Sequence, residues 1–240
     1  MKPKFKYELE RNKEIVMENP EMVEHYITSP ISDIDVQKLR AGDIVYISGP
    51  IFTARDGVYN YILRLNHEPP IDIRHTCNVT IQSSPAAAEV TAGEYKLGSL
   101  QATAGFRYAK WMPQLLDRYG VKAVISKGGM TQETYQKVFK PHGAVCLSTM
   151  GYGLGAIYGR AIRRVQDVFW VKELGISEAL WVLEAENLGP LLVEGDAQGN
   201  SFFTRVNYEV NQQLMQAYQG LPEFIMRRLG ETADPREEVF

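Results

Sequence analysis

The sequence predicts an α/β protein, chiefly because apolar strands and helical segments alternate regularly in its second half. The chain has 240 residues, 45% apolar and 23% charged, which is typical of one main globular domain with a sizeable core. Helices between successive strands indicate parallel pairing. The predicted strands are Val121–Ser126, Ala144–Thr149 and Val168–Val171, and the predicted helices are Thr131–Lys140 and Leu154–Arg164.

The first half of the chain gives weaker signals for individual elements. Ser32 and Asp35 have the spacing of a capping box for a short helix over Asp33–Leu39. The other predicted segments are a strand over Ile44–Ser48, a helix over Val58–Leu65, a strand-like passage over Asp72–Gln82, an irregular loop over Ser83–Lys96 and a helix over Gly105–Tyr119 that is kinked at Pro113.

The two ends of the chain differ from its central region. Residues 1–29 are charged, with a weak helical pattern over Glu8–Met22, and are predicted to form an N-terminal extension. The core domain is assigned to residues 30–203. Residues 204–240 carry an amphipathic stripe and are predicted to form a C-terminal helical extension. The core is expected to close with a short helix over Ser177–Leu183 and a hairpin of Leu191–Val193 with Ser201–Phe203.

Composition and charge exclude several classes of function. A net charge of -3, without a Lys/Arg-rich run, does not provide the positive surface that a nucleic-acid binder needs. No apolar run reaches membrane-spanning length and the N-terminus lacks a secretory signal, so a cytoplasmic location is expected. Cys77 and Cys146 are far apart and the four histidines lack ligand spacing, so no metal site is predicted in this chain.

Three predicted loops carry cationic side chains, namely Arg55, Arg107 and Lys127. Ligands of open α/β sheets bind beyond the carboxyl ends of the strands, and two guanidinium groups with one ammonium could hold a dicarboxylate there. Ordinary explanations also exist. Arg55 could pair with the adjacent Asp56 on the surface, and Thr103 could serve only as a helix cap.

A glycine-rich turn, Gly151–Gly155, superficially resembles a phosphate-binding turn. It lacks the complete dinucleotide-binding pattern and does not follow the first strand of a βαβ unit, so close backbone packing is the favoured explanation. No nucleotide cofactor is predicted.

Four motifs together resemble a known family. They are ISGPIFTARD at 47–56, LGSLQATAGFR at 97–107, VISKGG at 124–129 and HGAV at 142–145. Their order and spacing, over roughly Pro30 to Phe203, resemble the beta subunit of iron-sulfur L(+)-tartrate dehydratase and the C-terminal domain of class I fumarate hydratase. The resemblance implies a three-layer β/β/α swivelling domain with a mixed sheet, flanked by the two extensions.

The resemblance also implies a hydro-lyase that adds or removes water across a carbon-carbon double bond of a small dicarboxylate. In that family a four-iron four-sulfur cluster is held by three cysteines of the alpha subunit or N-terminal domain, and it acts as a Lewis acid. Since this chain has only two cysteines, the cluster would be held by a partner alpha subunit. The active form would then be a hetero-oligomer.

Roles for individual residues follow from the same resemblance. Arg55, Arg107 and Lys127 would bind substrate carboxylates, and Gly105 would belong to the same substrate-binding loop. Thr103 would supply the hydroxyl that moves the substrate proton, and Lys127 would also take part in catalysis. Nearby cations would make the Thr103 hydroxyl easier to ionise.

Several departures from the family pattern affect the expected substrate. The usual Gly-Pro-Thr-Thr-Ser-Gly-Arg-Met-Asp is here QATAGFRYA, which introduces Ala104, Phe106 and Tyr108, and Tyr59 replaces a usual histidine. A related dicarboxylate with a larger or more apolar substituent is therefore expected. The departures leave open a non-catalytic paralogue that acts as a carboxylate-binding or assembly module. A stand-alone dehydratase with a bound divalent metal has no convincing ligand set.

Overall fold

The computed structural model describes residues 22–151 and 154–217, of which residues 22–151 and 154–204 belong to the compact unit Ile15–Thr204. Its strands are β1 (Glu24–Thr28), β2 (Ile44–Thr53), β3 (Val79–Ile81), β4 (Ala86–Thr91), β5 (Glu94–Ser99), β6 (Ala123–Ser126), β7 (Val145–Thr149), β8 (Ile162–Phe169) and β9 (Leu180–Gly195). The α-helices are α1 (Asp33–Lys38), α2 (Asp56–Tyr59), α3 (Ile73–Thr76), α4 (Met112–Tyr119), α5 (Gln132–Thr134), α6 (Lys140–His142), α7 (Gly155–Arg160), α8 (Val171–Leu174) and α9 (Phe202–Ala217). Asn60–Arg64 and Tyr135–Phe139 form π-helical turns, and Gly105–Trp111 forms a 3-10 helix.

Seven strands form one mixed sheet in the order β1-β2-β3-β6-β7-β9-β8. The first five of these are mutually parallel, whereas β9 runs antiparallel to β7, β8 and β2. Because the long strand β9 pairs with both β7 and β2, the hydrogen-bonded ladder closes on itself. The predicted α/β class with a mixed sheet is therefore confirmed.

Two apolar cores lie on opposite faces of the central strands. Successive side chains of a strand point to opposite faces, so Ala123 and Ile125 enter one core while Val124, between them, enters the other. The second core also contains apolar side chains of the helical segments, among them Val58, Ile62, Leu115 and Phe139. Ordinary apolar burial thus fixes these helical segments to one face of the sheet, whereas Val36 of α1 and Tyr158 of α7 belong to the first core.

The predicted irregular loop over Ser83–Lys96 is wrong, because most of it forms the antiparallel hairpin of β4 and β5. Thr91 pairs with Glu94, which leaves a two-residue turn whose second residue, Gly93, has a φ of +79°. Glycine adopts such a positive φ without strain. The alanine-rich composition of β4 concealed this strand in the sequence.

Two further predictions near the C-terminal part of the sheet are wrong. The predicted helix over Ser177–Leu183 is replaced by the start of β9 at Leu180, because pairing with β2 and β8 outweighs local helical preference. The predicted hairpin with Ser201–Phe203 is reduced to one bridge between Gly195 and Ser201, and α9 begins at Phe202.

The passage over Asp72–Gln82 is strand only in part. Its first half forms α3, since the Asp72 carboxylate accepts a hydrogen bond from the backbone N–H of His75 at 3.2 Å and caps the helix. The break predicted at Pro113 is seen as a change of helix type, from the 3-10 helix to α4, with Pro113 in the first turn of α4. Gly120 ends α4 with a φ of +60°, as predicted.

The ends of the chain are described only in part. Apart from Met22, the weak helical pattern over Glu8–Met22 lies outside the described residues. β1 falls within the predicted N-terminal extension and pairs in parallel with β2. From Arg205 onward α9 belongs to a second compact unit. Within the described ranges, no helix has the length and apolarity needed to cross a membrane.

Candidate active site

The site is built where the parallel strands end. β2, β3 and β6 run in the same direction, so the residues that follow them meet at one edge of the sheet. Arg55 follows β2, Gln82 follows β3 and Lys127 follows β6. The sheet therefore brings together two of the three predicted cations from sequence positions more than seventy residues apart.

The segment that carries Thr103 crosses this edge. The backbone N–H of Thr103 donates to the carbonyl of Gln82 at 2.6 Å, and the Thr103 carbonyl accepts from the N–H of Lys127 at 2.9 Å. One residue later, Ala104 forms a parallel bridge with Lys127. Backbone hydrogen bonds thus fix the Thr103 and Lys127 loops side by side.

Gly105 lies where these two loops approach most closely. A Cβ at this position would be 2.6 Å from Ser126 Oγ and 2.7 Å from the carbonyl oxygen of Gly128. Such distances are too short for any side chain, so the approach of the loops requires glycine. This packing is a structural reason for Gly105; its substrate contact stays a prediction.

Both arginines pair with carboxylates of this chain. Arg107 Nη2 lies 3.0 Å from Asp56 Oδ2, and Arg55 Nη2 lies 3.4 Å from Glu178 Oε1. The ordinary explanation considered for Arg55, pairing with the adjacent Asp56, is therefore replaced by a partner far along the chain. Since Asp56 contacts Arg107, the Arg55 loop and the Arg107 helix meet directly.

Arg55 keeps its charge although it is partly enclosed. Burial by itself lowers the pKa of Arg55, but the Tyr108 hydroxyl and the Glu178 carboxylate outweigh it, and the net pKa is raised. The other oxygen of Glu178 accepts from the backbone N–H of Gly57 at 2.8 Å. Glu178 thus holds the start of α2 and the Arg55 side chain together.

Thr103 is not the helix cap that its position suggested. The 3-10 helix begins at Gly105 after Ala104, and it has no side-chain cap. Thr103 is half-buried, and its backbone N–H and carbonyl bond to Gln82 and Lys127. The Thr103 side chain therefore lies beside the Lys127 loop and does not cap the helix.

The buried carboxyl group of Glu194 stabilises the Lys127 loop through hydrogen bonds. Glu194 accepts from the Ser148 hydroxyl at 2.5 Å and from the Tyr135 hydroxyl at 3.3 Å. The Tyr135 oxygen in turn accepts from the backbone N–H of Met130 at 2.7 Å. Burial raises the pKa of Glu194, although these hydrogen bonds act in the opposite direction.

We expect Glu194→Gln to change the pH dependence of stability. A raised pKa means that the folded state disfavours the charged form, so the free energy of unfolding of the unsubstituted protein falls as pH rises above the ordinary carboxyl value of about 4.3. Glutamine mimics the protonated acid and lacks this loss. Its advantage in urea unfolding should therefore grow from about pH 4.5 to about pH 7.5.

Glu133→Gln, at an exposed carboxylate paired with Lys137, is the control and should show no such gain. Parallel pH curves for Glu194→Gln and the unsubstituted protein would contradict the assignment.

The cysteines of this chain do not fit an iron-sulfur cluster. Cys77 and Cys146 are both buried, and burial raises the pKa of each thiol to about 12. Such thiols are neutral near pH 7, whereas cluster ligands are thiolates. Among the described residues, no group of three or more His, Cys, Asp and Glu side chains is arranged to hold a metal ion.

The glycine-rich turn is described at its ends only, because Tyr152 and Gly153 lie outside the described residues. The carbonyl of Gly155 accepts from the backbone N–H of Leu100 at 2.9 Å, and a Cβ on Gly159 would lie 2.7 Å from the carbonyl oxygen of Gly98. These contacts agree with close backbone packing.

The structure therefore places Arg55, Thr103, Arg107 and Lys127 in neighbouring, directly contacting loops. The sequence did not predict that Glu178 and Glu194 contribute to the site, because no local motif marks either residue. Phe106, one of the departures from the family pattern, is 69% exposed. Tyr59 and Tyr108 are instead fully buried.

Comparison with known proteins shows which family this chain resembles. A model of the family described as "Fumarase C-terminus" matches residues 2–206. The "Putative L(+)-tartrate dehydratase subunit beta" of Methanocaldococcus jannaschii is 33% identical over 192 residues, which cover 79% of this chain and 96% of that protein. The "L(+)-tartrate dehydratase subunit beta" of Escherichia coli is 29% identical over 178 residues, which cover 73% and 84%. The "Putative fumarate hydratase class I" of Geobacillus stearothermophilus is 29% identical over 190 residues, which cover 79% of this chain and 35% of that protein.

Proposed function

Because the chain belongs to the fumarase C-terminus family, we propose that it is the beta subunit of a hydro-lyase that hydrates or dehydrates a small dicarboxylate. The observation that supports this most is the direct contact of the three loops that carry Arg55, Arg107 and Lys127. Two of the relatives are named as beta subunits of tartrate dehydratase, and a third as a fumarate hydratase. A four-carbon dicarboxylate related to tartrate or fumarate is the substrate class proposed.

In this proposal the two guanidinium groups bind the substrate carboxylates. Each can donate two parallel hydrogen bonds to a carboxylate, and substrate would replace Asp56 and Glu178 as their partners. Lys127 would add a compact positive charge near the reacting carbons and near Thr103. The Thr103 hydroxyl, which does not cap the helix, would give a proton to the substrate carbon in hydration or take it in dehydration.

The four-iron four-sulfur cluster belongs to the proposal as a group held by a partner alpha subunit, where it would supply Lewis-acid chemistry. The two buried neutral thiols of this chain do not suit it. A hetero-oligomer of the two subunits is therefore proposed as the active form. A cytoplasmic location is proposed as well, since Cys77 and Cys146 are both free thiols.

The test is turnover by a reconstituted pair, meaning this chain copurified with a cluster-bearing alpha subunit from the same organism. Fumarate hydration and L(+)-tartrate dehydration are measured for the pair and for each subunit alone. We expect activity from the pair with at least one dicarboxylate and none from this chain alone. Dicarboxylate binding by this chain without turnover in any pair would instead favour the carboxylate-binding or assembly module.

A further inference from the structure

Two buried polar side chains, Glu194 and Tyr135, lie directly against the backbone of the loop that carries Lys127. A Cβ at Gly129 would overlap both Glu194 Oε1 and the Tyr135 hydroxyl oxygen, so these oxygens fill the space that a side chain at residue 129 would need. Glu194 is 4% exposed and Tyr135 is fully buried. The loop therefore packs on a carboxyl group and a phenol.

Hydrogen bonds connect these two side chains to the loop. The Tyr135 oxygen accepts from the backbone N–H of Met130 at 2.7 Å, and its own proton is donated to Glu194 Oε1 at 3.3 Å. The other carboxylate oxygen, Oε2, accepts from the Ser148 hydroxyl at 2.5 Å. An ionised carboxylate only accepts, so its two oxygens match the two hydroxyl donors.

The same loop is bonded on its other side to the Thr103 segment. The backbone N–H of Lys127 donates to the Thr103 carbonyl at 2.9 Å, and the Lys127 carbonyl accepts from the N–H of Gly105 at 3.4 Å. Two residues separate Lys127 from Met130. A displacement of Met130 therefore shifts Lys127 and the segment that carries Thr103.

The charge of Glu194 lowers stability. Burial raises the pKa of Glu194, so the folded chain holds the charged form at a cost in free energy. The titratable groups that face it, among the described residues, are Tyr135 and Cys146. Burial raises the pKa of both, so both are neutral near pH 7 and supply no compensating positive charge. A glutamine of the same shape would avoid this cost.

We propose that the ionised carboxylate of Glu194, acting through Tyr135, is a positioning group that sets Lys127 for the substrate. The inference rests on the proposed function and extends the site to residues that do not touch the substrate. The carboxylate takes the tyrosine proton in a hydrogen bond, which leaves the tyrosine oxygen to hold the Met130 N–H. A glutamine amide has one acceptor oxygen, and its NH₂ group can donate to the tyrosine oxygen in competition with Met130.

The first test is Glu194→Gln in the reconstituted pair. We expect kcat/KM for fumarate or L(+)-tartrate to fall about tenfold at pH 7.5, because a displaced catalytic group slows the reaction. The difference from the unsubstituted pair should shrink as pH falls toward about 5, where Glu194 itself becomes protonated. Since this variant is expected to gain stability at pH 7.5, unfolding cannot account for its loss of turnover.

The second test is Tyr135→Phe, which keeps the ring and removes the hydroxyl. Amide hydrogen exchange at Met130 and Lys127, measured on this chain alone, should become about tenfold faster, as for the loss of one hydrogen bond. In the pair, kcat/KM should also fall about tenfold. Tyr158→Phe is the matched control, because this buried hydroxyl accepts from the N–H of Met150 at 2.8 Å in the other apolar core. It should leave exchange at Lys127 unchanged and kcat/KM within about twofold.

Three results would overturn the inference. They are an unchanged kcat/KM in Glu194→Gln at pH 7.5, an unchanged exchange rate at Lys127 in Tyr135→Phe, and equal losses of kcat/KM in Tyr135→Phe and Tyr158→Phe. Absence of turnover in the unsubstituted pair would refute the proposed function instead. The exchange rate at Lys127 would then decide by itself whether Tyr135 holds the loop.

Discussion

Replacing Arg107 with alanine is expected to lower kcat/KM of the reconstituted pair by about 100-fold, with little change in stability. Two losses combine. The substrate carboxylate loses its charge-assisted donor, and Asp56, now without its partner at 3.0 Å, repels the incoming dianion. Stability should hardly change, since both partners of this ion pair are about half exposed and such pairs contribute little to folding.

The repulsion can be tested separately from the lost donor. Adding Asp56→Asn to Arg107→Ala removes the negative charge and is expected to recover part of kcat/KM. Lys137→Ala, which breaks a more exposed ion pair with Glu133, is the control and should leave turnover unchanged. Full turnover by Arg107→Ala would refute its assignment as a substrate contact.

Thr103→Val is expected to lower kcat by about 100-fold or more, with KM nearly unchanged, because general acid–base groups typically contribute that much. Valine has the same shape as threonine but carries no proton. The backbone bonds of residue 103 to Gln82 and Lys127 do not involve the side chain, so the loop geometry is retained. The melting temperature should also stay close to the original, since the hydroxyl does not cap the helix.

Two companion variants define what the hydroxyl does. Thr103→Ser keeps an ionisable hydroxyl and should retain more turnover than Thr103→Val. Thr91→Val removes an exposed hydroxyl of β4 that donates to Glu94 at 2.7 Å. This variant should leave kcat and KM unchanged. If Thr103→Val turned over at the original rate, the proton would have to be moved by another group.

The elements that the sequence predicted well are those with strong local signals. The apolar runs at β6 and β7 and the glycine that ends α4 belong to this group, because buried parallel strands and left-handed caps leave a local pattern. The β4–β5 hairpin was missed, and of β9 only Leu191–Val193 was predicted as a strand. β9 is defined by pairing with distant strands, whereas β4 pairs only with the neighbouring β5 and has an alanine-rich composition that does not favour a strand.

The candidate site was likewise predicted only in part. Arg55 and Lys127 lie after predicted strands, and the direction of parallel strands was enough to place these two on one edge of the sheet. Glu178 could not be anticipated, because it acts through a contact with Arg55 that only the folded chain creates. The cap role considered for Thr103 failed because the helix starts one residue later than that role requires.

The central claim is that cations from separate loops of this chain receive the two carboxylates of one substrate. The most direct measurement is a crystal structure of the reconstituted pair with a bound dicarboxylate. We expect one carboxylate on Arg107 and the other on Arg55, with the Thr103 hydroxyl about 3–3.5 Å from a central carbon. A ligand bound in the pair with neither carboxylate on these arginines would contradict it.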